Sequence, residues 1–125
     1  DDLIRFAAWN PDKMRPAKSE LKPFSGKIAV LIDGGTGSAA EILSAALRDI
    51  SGAKVFGQRS IGMVLAAVMM ELPHNFKIMV PIQDYVTVNG TRLEGTGVIP
   101  DFLVKGQKAG DQDPVLNEAL KWVGN

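Results

Sequence analysis

The stretch Lys27 to Ile50, KIAVLIDGGTGSAAEILSAALRDI, constrains the fold more than any other part of the chain. Lys27 to Ile32 is a short run of apolar and β-branched residues without alternation, the pattern of a strand covered on both faces. Asp33 to Gly37 is a glycine-rich turn. Apolar residues then recur at helical spacing, at Ala39, Ile42, Leu43, Ala46, Leu47 and Ile50, so one stripe of a helix packs back on a sheet. Ser51 and Gly52 end that helix, and Ala53 to Gly57 reads as a second buried strand. Strand, helix and strand make one βαβ unit, which favours parallel pairing and a right-handed crossover, and the chain is predicted to be α/β.

Between strand and helix, Gly34, Gly35 and Gly37 let the backbone turn sharply and leave its surface bare for a bound group. The hydroxyl of Ser38 is thereby presented at the first turn of a helix, where backbone N–H groups lack intrahelical partners. Two readings of Ser38 follow from the local pattern. It is an N-cap, or it is a nucleophile whose developing oxyanion is received by the N–H of Ala39 and by the helix dipole. Glu41, three residues on, either closes a capping box with Ser38 or touches substrate. A phosphate site of the Walker type lacks its Gly-Lys-Ser/Thr, and a dinucleotide site lacks G-x-G-x-x-G.

At 125 residues and 46% hydrophobic content the chain supports a single domain with a core. Its 14 basic and 14 acidic residues cancel, which favours neither nucleic acid nor an acidic membrane surface as partner. The absence of cysteine excludes disulfides, thiolate chemistry and cysteine-ligated zinc, and a single histidine argues against a metal site; no cofactor is expected. No apolar run reaches membrane-spanning length. The opening DDLIRF is expected to mark a processed or cloned piece of a longer protein. Residues 1–25, with three prolines and scattered charges, are predicted to form an extended arm or connector pinned by Trp9 and Phe24, and residues 26–125 the folded part.

Beyond the βαβ unit, Gln58 to Val64 is a polar, glycine-containing loop suited to lining a site. Leu65 to Leu72 and Phe76 to Ile82 read as two strands around Pro73-His74-Asn75. Tyr85 to Val88 and Thr91 to Glu94 flank Asn89-Gly90, a strong hairpin signal. Gly95 to Asp101 returns into a last strand, Phe102 to Lys105, and Pro114 to Val123 forms a closing helix with Asp113 as N-cap. His74 sits at a hairpin tip, where an exposed turn residue is the expected role. Met63, Met69, Met70 and Met79 read as core filling.

Three segments in order then resemble the C-terminal processing peptidases and their tricorn-like relatives: Val30 to Ile42 (VLIDGGTGSAAEI), Val55 to Gly62 (VFGQRSIG) and Leu93 to Asp101 (LEGTGVIPD). The resemblance spans about Lys22 to Trp122. It implies the crotonase-like α/β fold shared with Clp proteases, with antiparallel hairpins and a closing helix after the βαβ unit. It also implies that Ser38 is the nucleophile, that Ala39 N–H is half of the oxyanion hole, and that Gly35, Gly37, Gly62 and Met63 line the substrate site. Serine–lysine members carry Gly-Lys-Gly in the second segment, whereas this chain has Gly62-Met63-Val64. A thioether neither takes nor returns a proton, so Ser38 has no dyad partner at Met63.

The tricorn-like branch also lacks that lysine and resembles a serine–histidine system completed by a second serine and a glutamate, which falls on Glu94. Its histidine, second serine and second oxyanion glycine lie upstream, so the resemblance implies the C-terminal half of a peptidase core acting on a peptide or protein substrate. The alternative is a scaffold that has lost chemistry and kept binding of a peptide or an apolar ligand. With strand Lys27 to Ile32 needing cover on both faces, the chain is expected to form a homo-oligomer or to pack against the absent half. Relatives exported to the cell envelope make that compartment the expected one, with the cytoplasm as the alternative.

Overall fold

The computed structural model describes residues 22, 24–106, 110 and 112–124. Most of the expected arm, including Trp9, lies outside these residues. Phe24 is within them, and at 74% exposure it pins nothing.

The predicted βαβ unit is present as strand β1 (Ala29–Ile32), helix α1 (Ala39–Ser51) and strand β2 (Lys54–Gly57). β1 and β2 are parallel, in register from Ala29 opposite Lys54 to Ile32 opposite Gly57. Strands β3 (Ala66–Glu71) and β4 (Lys77–Gln83) form a separate antiparallel hairpin. Strand β5 (Phe102–Leu103) joins β2 in parallel, giving a three-stranded sheet in the order β1-β2-β5, and helix α2 (Pro114–Gly124) closes the chain. No helix among the described residues is long and apolar enough to cross a membrane.

Each element ends where its sequence says it should. Gly52 takes a left-handed conformation, φ 68°, and its N–H and that of Ala53 both return to the Leu47 carbonyl. Asp113 caps α2 by accepting the Leu116 N–H at 2.9 Å. Gly57 must be glycine on two counts: its φ is 119°, and a Cβ there would stand 1.9 Å from the Ile32 carbonyl oxygen.

The core gathers Ile32, Ala45, Ala46, Val55, Val64, Leu93 and Val98. Sheet and helix supply the first four, and two stretches that carry no regular structure, the loop with Val64 and the return with Leu93 and Val98, supply the rest. On β2, Val55 joins this cluster while the next residue, Phe56, points to the other face. There Phe56 stacks on Phe102 at 4.6 Å between centroids and meets the Trp122 ring of α2 at 5.9 Å. Lys27 lies 5.3 Å from the Trp122 ring centre and donates to its carbonyl. β2 is thus covered on both faces by helices.

As expected of a chain with too few elements to cover it, β1 leaves apolar surface open: Leu31, in register with Phe56, remains 41% exposed. Two expectations are corrected. The methionines are not core filling. Met63, Met69, Met70 and Met79 are all more than half exposed, since no layer among the described residues covers either face of the β3–β4 ribbon. Tyr85 to Glu94 does not form a second stranded hairpin. It is a turn with a single bridge, Val86 to Arg92, because Leu93 leaves the ladder for the core.

Candidate active site

The turn after β1 is built by its own side chains. Asp33 accepts from the Gly35 N–H and the Thr36 hydroxyl, both at 3.0 Å, and its own N–H donates to Thr36 Oγ1. The second segment runs alongside this turn, with Ile61 N–H donating to the Thr36 carbonyl and Ser38 N–H to the Met63 carbonyl, each at 2.9 Å. The third segment packs on the second. Gly95 N–H donates to the Gly62 carbonyl at 2.9 Å, and the Arg59 guanidinium donates to the carbonyls of Thr96 and Gly95. A Cβ at Gly97 would fall 2.5 Å from the Ser60 carbonyl oxygen, so the two segments meet backbone to backbone.

Ser38 stands at the meeting point with φ 57° and ψ −128°. For a residue with a Cβ this is a strained conformation, costing about 1–3 kcal/mol and persisting only where the surroundings impose it. The first turn of α1 beyond it is arranged unevenly. Ala40 N–H returns to the Gly37 carbonyl at 3.3 Å, and Glu41 and Ile42 N–H to the Ser38 carbonyl at 3.0 and 3.2 Å. Ala39 N–H has no protein acceptor among the described residues. An exposed serine and an unpaired N–H at a helix N-terminus therefore lie side by side, as attack and oxyanion stabilisation require.

Glu41 is fully buried and accepts four hydrogen bonds. Oε1 takes the Ser60 hydroxyl at 2.5 Å and Gly62 N–H at 2.7 Å, and Oε2 takes Met63 N–H at 2.9 Å and Ser38 N–H at 3.1 Å. The predicted capping relation to Ser38 is present, and burial rules out the alternative of substrate contact. Ser60 in turn accepts the Val98 N–H at 2.6 Å. Sequence reasoning missed Ser60, because nothing local ties it to a carboxylate 19 residues away.

The remaining expected residues fall around this centre in different ways. Gly35 is exposed, Gly37 half-buried, and Met63 is exposed with its carbonyl against Ser38. Gly62 is buried with its N–H on Glu41 and its carbonyl on Gly95, which removes it from direct substrate contact. Glu94 is half-buried, and its Oε2 accepts Val64 N–H at 2.8 Å and Leu65 N–H at 3.2 Å; no hydrogen bond joins it to Ser38 among the described residues. His74 is exposed at the tip of the β3–β4 hairpin, φ 62°, and has no bond to the site among the described residues. A cleft of about 640 Å³ opens at the C-terminal ends of β1 and β2, lined by the turn Asp33 to Thr36 with Gln58 and Asp113. Among the described residues no group of three acidic or histidine side chains is placed to hold a metal ion.

Residues 6–104 match the family described as peptidase family S41. The carboxy-terminal-processing protease of Bartonella bacilliformis is 36% identical over 105 residues, which cover 84% of this chain and 22% of that protein. The solved photosystem II D1 C-terminal processing protease matches with a TM-score of 0.57 at 26% identity, over 79% of this chain and 25% of that one. The tricorn protease shares the fold at a TM-score of 0.67 and 22% identity, over 87% of this chain and 12% of its own. The chain spans about a fifth of the length of the curated relatives it matches.

Proposed function

The chain belongs to peptidase family S41, and from that membership we propose that it carries the nucleophile of a serine-type C-terminal processing peptidase, Ser38. The observation that carries this reading is the strained backbone of Ser38 beside the unpaired N–H of Ala39. A residue that served only as an N-cap would sit in an extended conformation without strain.

In the proposed reaction Ser38 Oγ attacks the carbonyl carbon of a peptide bond and gives its proton to a general base. The oxyanion is received by Ala39 N–H and by a second main-chain donor from outside this chain. Collapse of the tetrahedral adduct breaks the C–N bond, the base returns the proton to the leaving amine, and water then hydrolyses the acyl-enzyme. Neither Met63 nor the distant His74 suits the role of base, so a histidine outside this chain is assigned to it. Glu94 supports the site by fixing the main chain directly after Met63. No cofactor enters the chemistry.

A fluorophosphonate serine-hydrolase probe tests the proposal on the full-length protein, with Ser38→Ala as control. Labelling that disappears in Ser38→Ala is the expected result. No labelling of a folded wild-type protein, or labelling that survives the substitution, overturns the reading and favours a scaffold that binds a peptide or apolar ligand without cleaving it.

A further inference from the structure

We propose that Glu41 is a positioning residue for the nucleophile, a buried carboxyl group whose hydrogen bonds lock the Ser38 turn and the loop around residue 63 into one register. The proposal rests on the reading of Ser38 as nucleophile, but its structural half stands apart from it.

The donors around Glu41 show why a carboxyl group suits this position. Ser38, Gly62 and Met63 each offer a main-chain N–H, which can only donate, and these fall on both carboxylate oxygens. An amide at this position would turn its NH₂ against at least one N–H. No lysine or arginine forms an ion pair with Glu41 among the described residues. The carboxyl group is therefore held by four hydrogen bonds at the N-terminus of α1. A side chain needed only for packing would be apolar here, because burying a polar group is costly unless it is hydrogen-bonded.

What this carboxyl group holds explains its presence. Ser38 N–H is shared between Glu41 Oε2 and the Met63 carbonyl, and Met63 N–H returns to the same oxygen. Residues 38 and 63 are thus clamped to each other through one carboxylate oxygen, and without it the direct Ser38 N–H to Met63 carbonyl bond is left to hold the two turns together. Because Glu41 takes the Ser38 N–H, the neighbouring Ala39 N–H is left free to face the site. Through Ser60, which donates to Oε1 and accepts from Val98, the third segment is fastened to the same point.

Two measurements on the full-length protein test this. In the first, probe labelling is followed at several probe concentrations in wild type and Glu41→Gln, a change that preserves volume. Misplacement of the nucleophile predicts an inactivation rate constant lower by at least about tenfold, with the probe's apparent binding constant held within about twofold. The second is peptide-resolved hydrogen exchange, which does not depend on any activity. Glu41→Gln should speed exchange in the segments containing residues 36–42 and 60–65, while the β1–β2 ladder exchanges as in wild type. Should Glu41→Gln fail to fold, Ser60→Ala removes one donor only and should produce the same local pattern in milder form. Wild-type exchange in both segments in the folded variant, or a uniform rise across the whole domain, overturns the proposal. Wild-type protein that is not labelled at Ser38 ends the nucleophile reading, and the exchange result still decides the role of Glu41.

Discussion

Ser38 keeps a conformation that glycine adopts freely and serine does not, and this separates its structural cost from its chemical role. Ser38→Gly is expected to raise stability in urea denaturation by about 1 kcal/mol or more, through relief of strain, while abolishing probe labelling. Ser38→Ala should abolish labelling without that gain, since alanine inherits the strain. A swap at the neighbouring loop position has a different expectation. Met63→Leu changes labelling by less than about twofold, because the exposed thioether has no proton chemistry and the loop is held through the main chain of residue 63. At this scale the sequence was legible where partners lie within one helical turn: the Ser38–Glu41 relation follows from a spacing of three. It was silent about Ser60 and about the bonds of Glu94 to Val64 and Leu65, which depend on how distant loops dock.

The βαβ unit, the β3–β4 hairpin, the last strand and the closing helix are present with strand ends displaced by one or two residues, while the hairpin read from Asn89-Gly90 is not. Their surroundings were less legible. Runs such as AAVMME and KIMVPIQ identify strands, but an apolar strand looks the same in sequence whether or not a second layer covers it. Phe56, by contrast, is 1% exposed and fastens β5 and α2 to β2, so Phe56→Ala is expected to cost about 3–5 kcal/mol in urea denaturation. The turn between β4 and the third segment carries one titrating link. The Arg92 side chain, hydrogen-bonded to Asp84, holds that carboxyl below its ordinary value of 3.8. A depressed folded value means that the link stabilises above the ordinary value and is lost as pH falls through the folded one. Being an exposed surface pair, it contributes little, and the measurable outcome is the titration itself: Arg92→Ala should return the Asp84 carboxyl, followed by NMR, towards 3.8.

At the scale of the whole molecule, the described residues leave apolar side chains open on two sides. Leu31 and Leu103 are exposed on the three-stranded sheet, and Val68, Met69, Ile78 and Met79 on the β3–β4 ribbon. A chain of this sequence by itself is expected to elute above its 13.4 kDa mass in size-exclusion chromatography with light scattering, and a monomer that binds no hydrophobic dye would contradict this. The site has a corresponding dependence on completeness. Val98 reaches Ser38 through Ser60 and Glu41, so the geometry of the Ser38 turn is secured only after the third segment has docked. During synthesis Ser38 leaves the ribosome about sixty residues before that lock can close. On the proposed reading, a copy cut short before Val98 lacks the contact that secures Ser38, so the order of synthesis is also the order in which the site becomes competent.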